Sequence, residues 1–290
     1  MQGSTQAGRP AGGPTECART DRVFNTEVVI AVDLNADLAE GEALTPGDLA
    51  LLDVVTSGSL ACGFHAGGRR VMRAAAQACL SRGITIGAHV SYRDRAGFGR
   101  RAVDRPGPLL ARDIIEQCEV LSGEVEAAGG SVAYVKPHGA LYNRMGVDEE
   151  VAWSVIEAVT VMGIPVLVAQ AGTSVVEPAR AAGLRVVAEG FPDRGYRPGG
   201  LLAPRGQPGA EFTDPVVVGR RAVSLAVRHG VDAVDGTWTA IDAETLCIHG
   251  DAPNAAETAR TVHAMLATEG IALRPFSPNA RHGASGGHSP

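Results

Sequence analysis

The chain contains 290 residues, of which 45% are apolar and only 4% are aromatic, and its formal net charge is −6. This composition is typical of a soluble globular protein with one large or two small domains. The acidic balance and the lack of a basic run argue against a nucleic-acid-binding surface, and no apolar run approaches the roughly 18 residues that span a membrane.

The predicted elements begin after a stretch of about 25 residues that is rich in Gly, Pro, Thr and Ser and has no signal-peptide core. β-Branched runs then alternate with Ala-rich amphipathic stretches. The runs predict strands over residues 28–33, 53–61, 84–89, 131–136, 165–169, 185–189, 231–236 and 245–249. The amphipathic stretches predict helices over residues 69–82, 108–128, 148–162, 173–182, 215–229 and 254–268.

This alternation of strands and helices predicts parallel strands joined by right-handed crossovers. The usual closed arrangement at about 250 residues is a TIM-like (β/α) barrel, so we predict the α/β class and a closed barrel of seven or eight strands. An open doubly wound sheet is the alternative, but DLNADLAEGE and not GxGxxG follows the first strand. The predicted organisation is one barrel domain over residues 27–274 between disordered tails over residues 1–26 and 275–290.

The cysteines bear on the cellular compartment. There are five of them, an odd number, and none has CxxC spacing. This pattern argues against a disulfide framework or a zinc knuckle and predicts a reducing, cytoplasmic location. For assembly, a homodimer is the expectation from base rates alone.

Polar side chains cluster where the predicted strands end, which is where parallel barrels build their active sites. Each of these residues alone is explained by a turn or a helix cap. Together they favour an enzyme site over a stabilising cluster. The residues are Asp33, Asn35, Asp37, Glu40, Cys62, His65, His89, Ser91, Asp94, Lys136, His138, Tyr142, Asn143, Glu189, Asp193, Arg194, His249 and Asp251.

Lys136 is the single lysine in a chain that has 25 arginines, and it directly follows the apolar run SVAYV. Chemistry that depends on lysine must therefore use this residue. A P-loop is excluded, because GxxxxGK[ST] needs a glycine before the lysine and Val135 stands there. A surface charge is the alternative reading of Lys136, but its place at a strand end favours a role in the site.

Two chemical uses of the clustered residues remain open. In the first, Asp37, His65 and His89, from three consecutive strands, bind a divalent metal ion, because carboxylate and neutral imidazole suit Zn, Mn, Co or Fe. In the second, no metal is needed: Lys136 and Arg194 bind an anionic substrate or phosphate while a histidine and a carboxylate transfer protons.

Six segments at these strand ends resemble a known family, the LamB/YcsF family. They run in the family's order across nearly all of residues 30–272, and KPHGALYN is specific to the family. The segments are VDLNADLAEG (32–41), ACGFHAGG (61–68), GITIGAHVSYRDRAGFGRR (83–101), VKPHGALYN (135–143), FPDRGYRPGGLLAPRGQPGA (191–210) and CIHGDAPNA (247–255). A small departure is Ala39, where the family has Gly.

The resemblance implies a distorted barrel related to the glycoside hydrolase/deacetylase superfamily. It also implies an activity: ATP-dependent opening of 5-oxo-L-proline to L-glutamate, carried out with 5-oxoprolinase subunits B and C as partners. Relatives in the superfamily hold a metal with one Asp and two His, and the analogous residues here are Asp37, His65 and His89. ATP is thus the expected co-substrate, and a divalent metal ion is a further expected cofactor.

The implied reaction assigns roles to the remaining site residues. A cyclic amide that bears a carboxylate needs cationic partners and groups that move protons. The expected catalytic residues are Lys136, His138, Asp193, His249 and Asp251, and the expected substrate- or phosphate-binding residues are Asn35, Asn143, Arg194 and Arg205. Two alternatives remain: a metal-dependent amide hydrolase that deacetylates acylated sugars, and a non-catalytic partner subunit.

Overall fold

The computed structural model describes residue 1, residues 30–250 and residues 254–276. The two predicted tails lie outside the described residues, except for residues 1, 275 and 276. Asp251, one of the predicted catalytic residues, also lies outside them. None of the described helices is both long enough and apolar enough to cross a membrane.

The described strands are mostly short and buried. In chain order they are β1 (Ala31–Leu38), β2 (Ser57–Ala61), β3 (Thr85–Val90), β4 (Tyr134–Pro137), β5 (Val166–Gln170), β6 (Arg185–Gly190), β7 (Gly230–Asp232), β8 (Trp238–Ala240), β9 (Thr245–Ile248) and β10 (Ala272–Leu273). The described helices are α1 (Pro46–Leu52), α2 (Arg69–Leu80), α3 (Gly107–Ala127), α4 (Gly139–Met145), α5 (Glu149–Val161), α6 (Val176–Ala181), α7 (Pro215–Arg228) and α8 (Ala255–Thr268).

Seven parallel strands close into a barrel. The strand order is β1-β2-β3-β4-β5-β6-β9, and β9 pairs back onto β1, while β10 pairs in parallel with the first two residues of β1. Helices pack outside, and the apolar core lies between them and the barrel. The predicted class, a distorted (β/α) barrel with seven or eight strands, is therefore confirmed.

One predicted barrel strand, residues 231–236, is wrong. The chain there forms β7, which pairs antiparallel with β8 outside the barrel. The apolar run is short, and it ends in a turn where the Asp235 carboxylate accepts hydrogen bonds from the backbone and side chain of Thr237. Helix α1 was not predicted, although Thr45 and Asp48 form a capping box and Pro46 occupies its first turn.

Strand β1 also differs from its predicted limits of 28–33, since it extends to Leu38. Leu34, Ala36 and Leu38 belong to the apolar core, whereas the alternate residues Asp33, Asn35 and Asp37 contact polar groups of other barrel strands. Because strand side chains alternate between faces, the second set points into the barrel. These polar residues thus lie within the strand and not after it.

Asp33 is the first of these three inward-pointing residues along β1, and it is 1% exposed. Its carboxylate accepts hydrogen bonds from the hydroxyls of Thr56, Ser57 and Thr245. Burial raises the pKa of Asp33 from 3.8 to about 6, although the three hydroxyl donors favour the ionised form.

This raised pKa predicts a pH-dependent difference in stability between the wild type and Asp33→Asn. The folded protein holds the proton more tightly than the unfolded chain, so the free energy of unfolding of the wild type relative to Asp33→Asn falls as the pH rises from about 4 through 6. The fall should total roughly 3 kcal/mol, measured by denaturant unfolding at several pH values. Ser57→Ala, which keeps the carboxyl group, should retain the fall. Parallel curves for the wild type and Asp33→Asn would contradict the prediction.

Candidate active site

A cavity of about 530 Å³ opens at the carboxyl ends of the barrel strands. This is the end where parallel barrels carry their catalytic groups. Its lining combines groups from β1, β3, β4 and β5 with the segments that follow β3, β4, β6 and β9. The polar and aromatic lining residues are Asp37, His89, Arg100, Lys136, His138, Tyr142, Asn143, Gln170, Phe191, Arg194, Arg197, Arg205 and His249.

Lys136 lies at the floor of this cavity and is 2% exposed. Its ammonium group contacts four protein atoms: Asp37 Oδ1 at 2.9 Å, Glu189 Oε1 at 2.8 Å, Asn35 Oδ1 at 3.0 Å and Cys247 Sγ at 3.1 Å. Burial alone would lower the pKa of Lys136, but the carboxylates and the thiol around it hold the pKa well above its ordinary value. Lys136 is therefore a buried cation that holds two carboxylates.

The two carboxylates differ in their surroundings. Glu189 is fully buried, and its second oxygen accepts a hydrogen bond of 2.7 Å from Tyr142 Oη. Asp37 lines the cavity, with Oδ2 at 3.3 Å from Nε2 of His89. Burial would raise the pKa of Asp37, but His89 and Lys136 hold it well below its ordinary value. Asp37 is thus an ionised carboxylate at the cavity wall.

Three histidines and one glutamate meet beside Asp37. We call Glu40, His65, His89 and His138 the histidine cluster. Nδ1 of His138 is 3.0 Å from Nε2 of His89, and Nε2 of His65 is 3.2 Å from Oε1 of Glu40. The rings of His65 and His138 are stacked with centroids 4.0 Å apart. Four possible ligand atoms of this cluster lie within 4.8 Å of one another.

His249 forms a dyad with Asp193, and one of its ring nitrogens lies within 4.8 Å of a carboxylate oxygen of Asp37. Nδ1 of His249 is 2.7 Å from Asp193 Oδ2, and the imidazole stacks on Phe191 with ring centroids 5.6 Å apart. Burial would lower the pKa of His249, but the Asp193 carboxylate outweighs that effect and raises it. The pair therefore provides an oriented imidazole, and its protonated form is stabilised next to the cavity.

Three of the four predicted substrate- or phosphate-binding residues line the cavity. Asn143, Arg194 and Arg205 line the cavity, together with Arg100 and Arg197. Arg194 also holds the loop beside it, because its guanidinium donates hydrogen bonds to the carbonyls of Ala203 and Ala210.

Asn35 does not line the cavity. Its amide donates hydrogen bonds to Glu189 and Thr245 and accepts one from Lys136. Asn35 thus orients the buried ion pairs below the cavity.

The three predicted metal ligands lie near one another, since Asp37 Oδ2 is 3.3 Å from Nε2 of His89 and the ring centroids of His65 and His89 are 5.5 Å apart. His65 and His89 meet in the histidine cluster, but the described groups that complete it are Glu40 and His138. Oδ1 of Asp37 is engaged by Lys136. Sequence reasoning noted Glu40, Tyr142 and Glu189 at strand ends without giving them roles, and it did not single out Cys247. The only indication in the sequence that these residues belong to the site is that they lie after or within apolar runs.

The fold is a parallel α/β barrel, and its ionisable side chains converge on a cavity at the carboxyl ends of the strands. This arrangement is typical of barrel proteins that build their active sites at that end. The LamB/YcsF family model matches residues 32–281, and the chain belongs to this family.

Relatives extend the comparison. The chain is 49% identical over 251 residues to a Streptomyces coelicolor protein named as the A subunit of 5-oxoprolinase, covering 85% of this chain and 100% of the relative. It is 45% identical over 250 residues to a Pseudomonas syringae pv. tomato protein named as a 5-oxoprolinase A subunit, covering 85% and 98%. A solved structure, the lactam utilization protein from Thermus thermophilus, has a TM-score of 0.79 at 40% identity, covering 85% of this chain and 100% of that one.

Proposed function

We propose that this chain is the A subunit of an ATP-dependent 5-oxoprolinase, which opens the cyclic amide of 5-oxo-L-proline to L-glutamate together with partner subunits B and C. The relatives named as 5-oxoprolinase A subunits support this proposal, because the similarity covers almost their whole length. The observation that carries it is the cavity, where an oriented His249–Asp193 dyad and an ionised Asp37 face several arginines.

The reaction itself explains why these groups are needed. Amide resonance makes the lactam carbon a poor electrophile, and phosphorylation of the amide oxygen by ATP removes that resonance, with ADP as the leaving group. Water then adds to the carbon, the C–N bond breaks as the nitrogen takes a proton, and a second water releases phosphate from the acyl phosphate. The products are glutamate, ADP and phosphate.

The residues of the cavity match the charges of such a substrate. Arg194, Arg197 and Arg205 provide guanidinium groups that suit a carboxylate or a phosphoryl group. His249, held by Asp193, is the proposed donor of the proton to the leaving nitrogen. Lys136 fixes Asp37 and Glu189 by charge and does not bind substrate directly, because its ammonium is surrounded by protein acceptors.

The test is a glutamate-release assay on 5-oxoproline with the chain alone and with partner subunits B and C, each with and without ATP. We expect glutamate only when all three subunits and ATP are present. As a control, His263→Gln alters an exposed helical histidine outside the cavity and should leave turnover unchanged. No product under any combination would overturn the assignment. Full turnover after joint replacement of His138 and His249 would show that this chain is not the catalytic component.

A further inference from the structure

The hydrogen bonds around the histidine cluster determine which ring nitrogens carry protons. Nδ1 of His89 lies 2.9 Å from the carbonyl oxygen of Lys136, and Nε2 of His138 lies 2.9 Å from that of Phe98. A carbonyl oxygen only accepts, so both of these nitrogens carry hydrogen. In the neutral rings, Nε2 of His89 and Nδ1 of His138 are then lone-pair acceptors that face each other at 3.0 Å, and Oδ2 of Asp37 is a further acceptor 3.3 Å from Nε2 of His89.

His65 shows the same pattern. The Ser91 hydroxyl donates its hydrogen to the carbonyl oxygen of Tyr92, so Ser91 Oγ accepts from Nδ1 of His65 at 3.0 Å. The lone pair on Nε2 of His65 is left pointing at a carboxylate oxygen of Glu40, 3.2 Å away. That oxygen is also 3.7 Å from Nδ1 of His138. Three imidazole lone pairs and a carboxylate oxygen therefore converge on one point.

The two imidazole acceptors of His89 and His138, 3.0 Å apart, repel each other unless a proton or a cation lies between them. A single proton can bridge only one of two contacts, the one between His89 and His138 or the one between His65 and Glu40, whereas one metal ion can be shared by all four residues. A metal ion fits the spacing, because the ligands of a tetrahedral ion bound at roughly 2.0–2.1 Å lie roughly 3.3 Å apart. Three of the separations in the cluster are 3.0, 3.2 and 3.7 Å, and all four ligand atoms lie within 4.8 Å of one another.

We propose that Glu40, His65, His89 and His138 bind one divalent transition-metal ion. The ligand atoms would be a carboxylate oxygen of Glu40, Nε2 of His65, Nε2 of His89 and Nδ1 of His138. Three imidazoles and one carboxylate suit Zn²⁺, Co²⁺, Mn²⁺ or Fe²⁺ and not the hard cations Ca²⁺ and Mg²⁺. The carbonyl and hydroxyl partners of the three rings fix their tautomers, as in protein metal sites in general.

This ligand set differs from the set that the sequence predicts, in which Asp37 is a ligand. Asp37 Oδ2 lies 3.3 Å from Nε2 of His89, but Oδ1 of the same carboxylate is paired with the Lys136 ammonium at 2.9 Å, and Asp37 does not belong to the group of four ligand atoms that lie within 4.8 Å of one another. In the histidine cluster, by contrast, the acceptor atoms face one another directly. Because His89 and His138 line the cavity, a bound ion would supply Lewis-acid chemistry at its wall.

The test is direct metal binding by the whole chain alone, so its outcome is independent of the lactam assay. Protein stripped with a chelator is titrated with Co²⁺, followed by the visible absorption of the bound ion, and metal content is measured after dialysis. We expect one ion per chain. Glu40→Gln and His138→Asn should each weaken binding at least about 100-fold, because loss of a ligand exceeds the 10–100-fold effect of losing an outer partner.

Two controls separate this set from its alternatives. His263→Asn, on the exposed face of α8, should leave binding unchanged, and Asp37→Asn should also retain the ion. No stoichiometric binding by the wild type would overturn the proposal, as would equal binding by the wild type, Glu40→Gln and His138→Asn. Loss of the ion in Asp37→Asn with retention in Glu40→Gln would favour the ligand set predicted from sequence. If Glu40→Gln fails to fold, His65→Asn replaces it.

Discussion

Replacing Lys136 by methionine is expected to destabilise the protein by about 3–5 kcal/mol. The side chain is 2% exposed, and its ammonium is the counter-ion of both Asp37 and Glu189. Without it, two buried carboxylates lie close together with no cation between them, which costs far more than the loss of a surface ion pair. Denaturant unfolding at pH 7 measures the effect.

A second substitution tests this reason. The double variant Lys136→Met/Glu189→Gln removes one of the stranded charges and should regain part of the lost stability. Arg112→Met removes one positive charge from the exposed face of α3 and should change stability little, which controls for net charge. If Lys136→Met is no less stable than Arg112→Met, Lys136 is not the counter-ion that its contacts indicate.

The same Lys136→Met variant should also lose lactam opening in the reconstituted assembly, by at least about 100-fold. The reason is positional: Asp37 lines the cavity, and a carboxylate that loses its fixed partner no longer holds its orientation. Lys136→Arg should fail as well, because a guanidinium is larger and the four acceptors around Nζ fit a compact ammonium. Near-normal turnover of either variant would exclude this role.

Replacing Asp193 by asparagine should lower lactam opening by about 10²–10⁴-fold, the range associated with a disabled proton-transfer group. Asp193 accepts from Nδ1 of His249 at 2.7 Å, orients the ring and stabilises its protonated form. An asparagine at this position provides neither the charge nor a secure acceptor. Steady-state kinetics of the assembled enzyme measure the loss.

The Asp193→Asn substitution should also change how lactam opening depends on pH. Burial opposes the imidazolium of His249, but Asp193 outweighs it and raises the pKa above 6.5. A proton donor with a raised pKa keeps its activity at low pH and loses it as the pH rises through that pKa. In Asp193→Asn this alkaline loss should move to lower pH.

The matched control is Asp242→Asn, which removes the partner of His229 in an exposed pair 3.0 Å apart and should leave the profile unchanged. An Asp193→Asn profile that keeps the wild-type alkaline limb would assign that limb to another group.

The periodicity of apolar and polar residues was sufficient to predict most elements of the barrel. The strand at 185–189 and the helices at 69–82 and 215–229 lie within two residues of β6, α2 and α7. Short elements such as α4 and β8 were not predicted, because three to seven residues are too few to establish a period. The clustering of polar residues at strand ends likewise predicted which end of the barrel contains the cavity.

By itself, the sequence therefore determined the fold class, the family and the set of ionisable residues at one end of the barrel. Only the tertiary structure decided which of those residues touch. Lys136 and Asp37 are 99 residues apart in sequence, and Asn35 and Glu189 are 154 apart. Their contacts depend on the register in which the strands pair and on the closure of β9 onto β1. Local periodicity reports the face on which a side chain lies, but pairing across strands determines its partner. For that reason Lys136 could be singled out from sequence, whereas its role as a buried counter-ion and the position of Glu40 and His138 beside His65 and His89 could not.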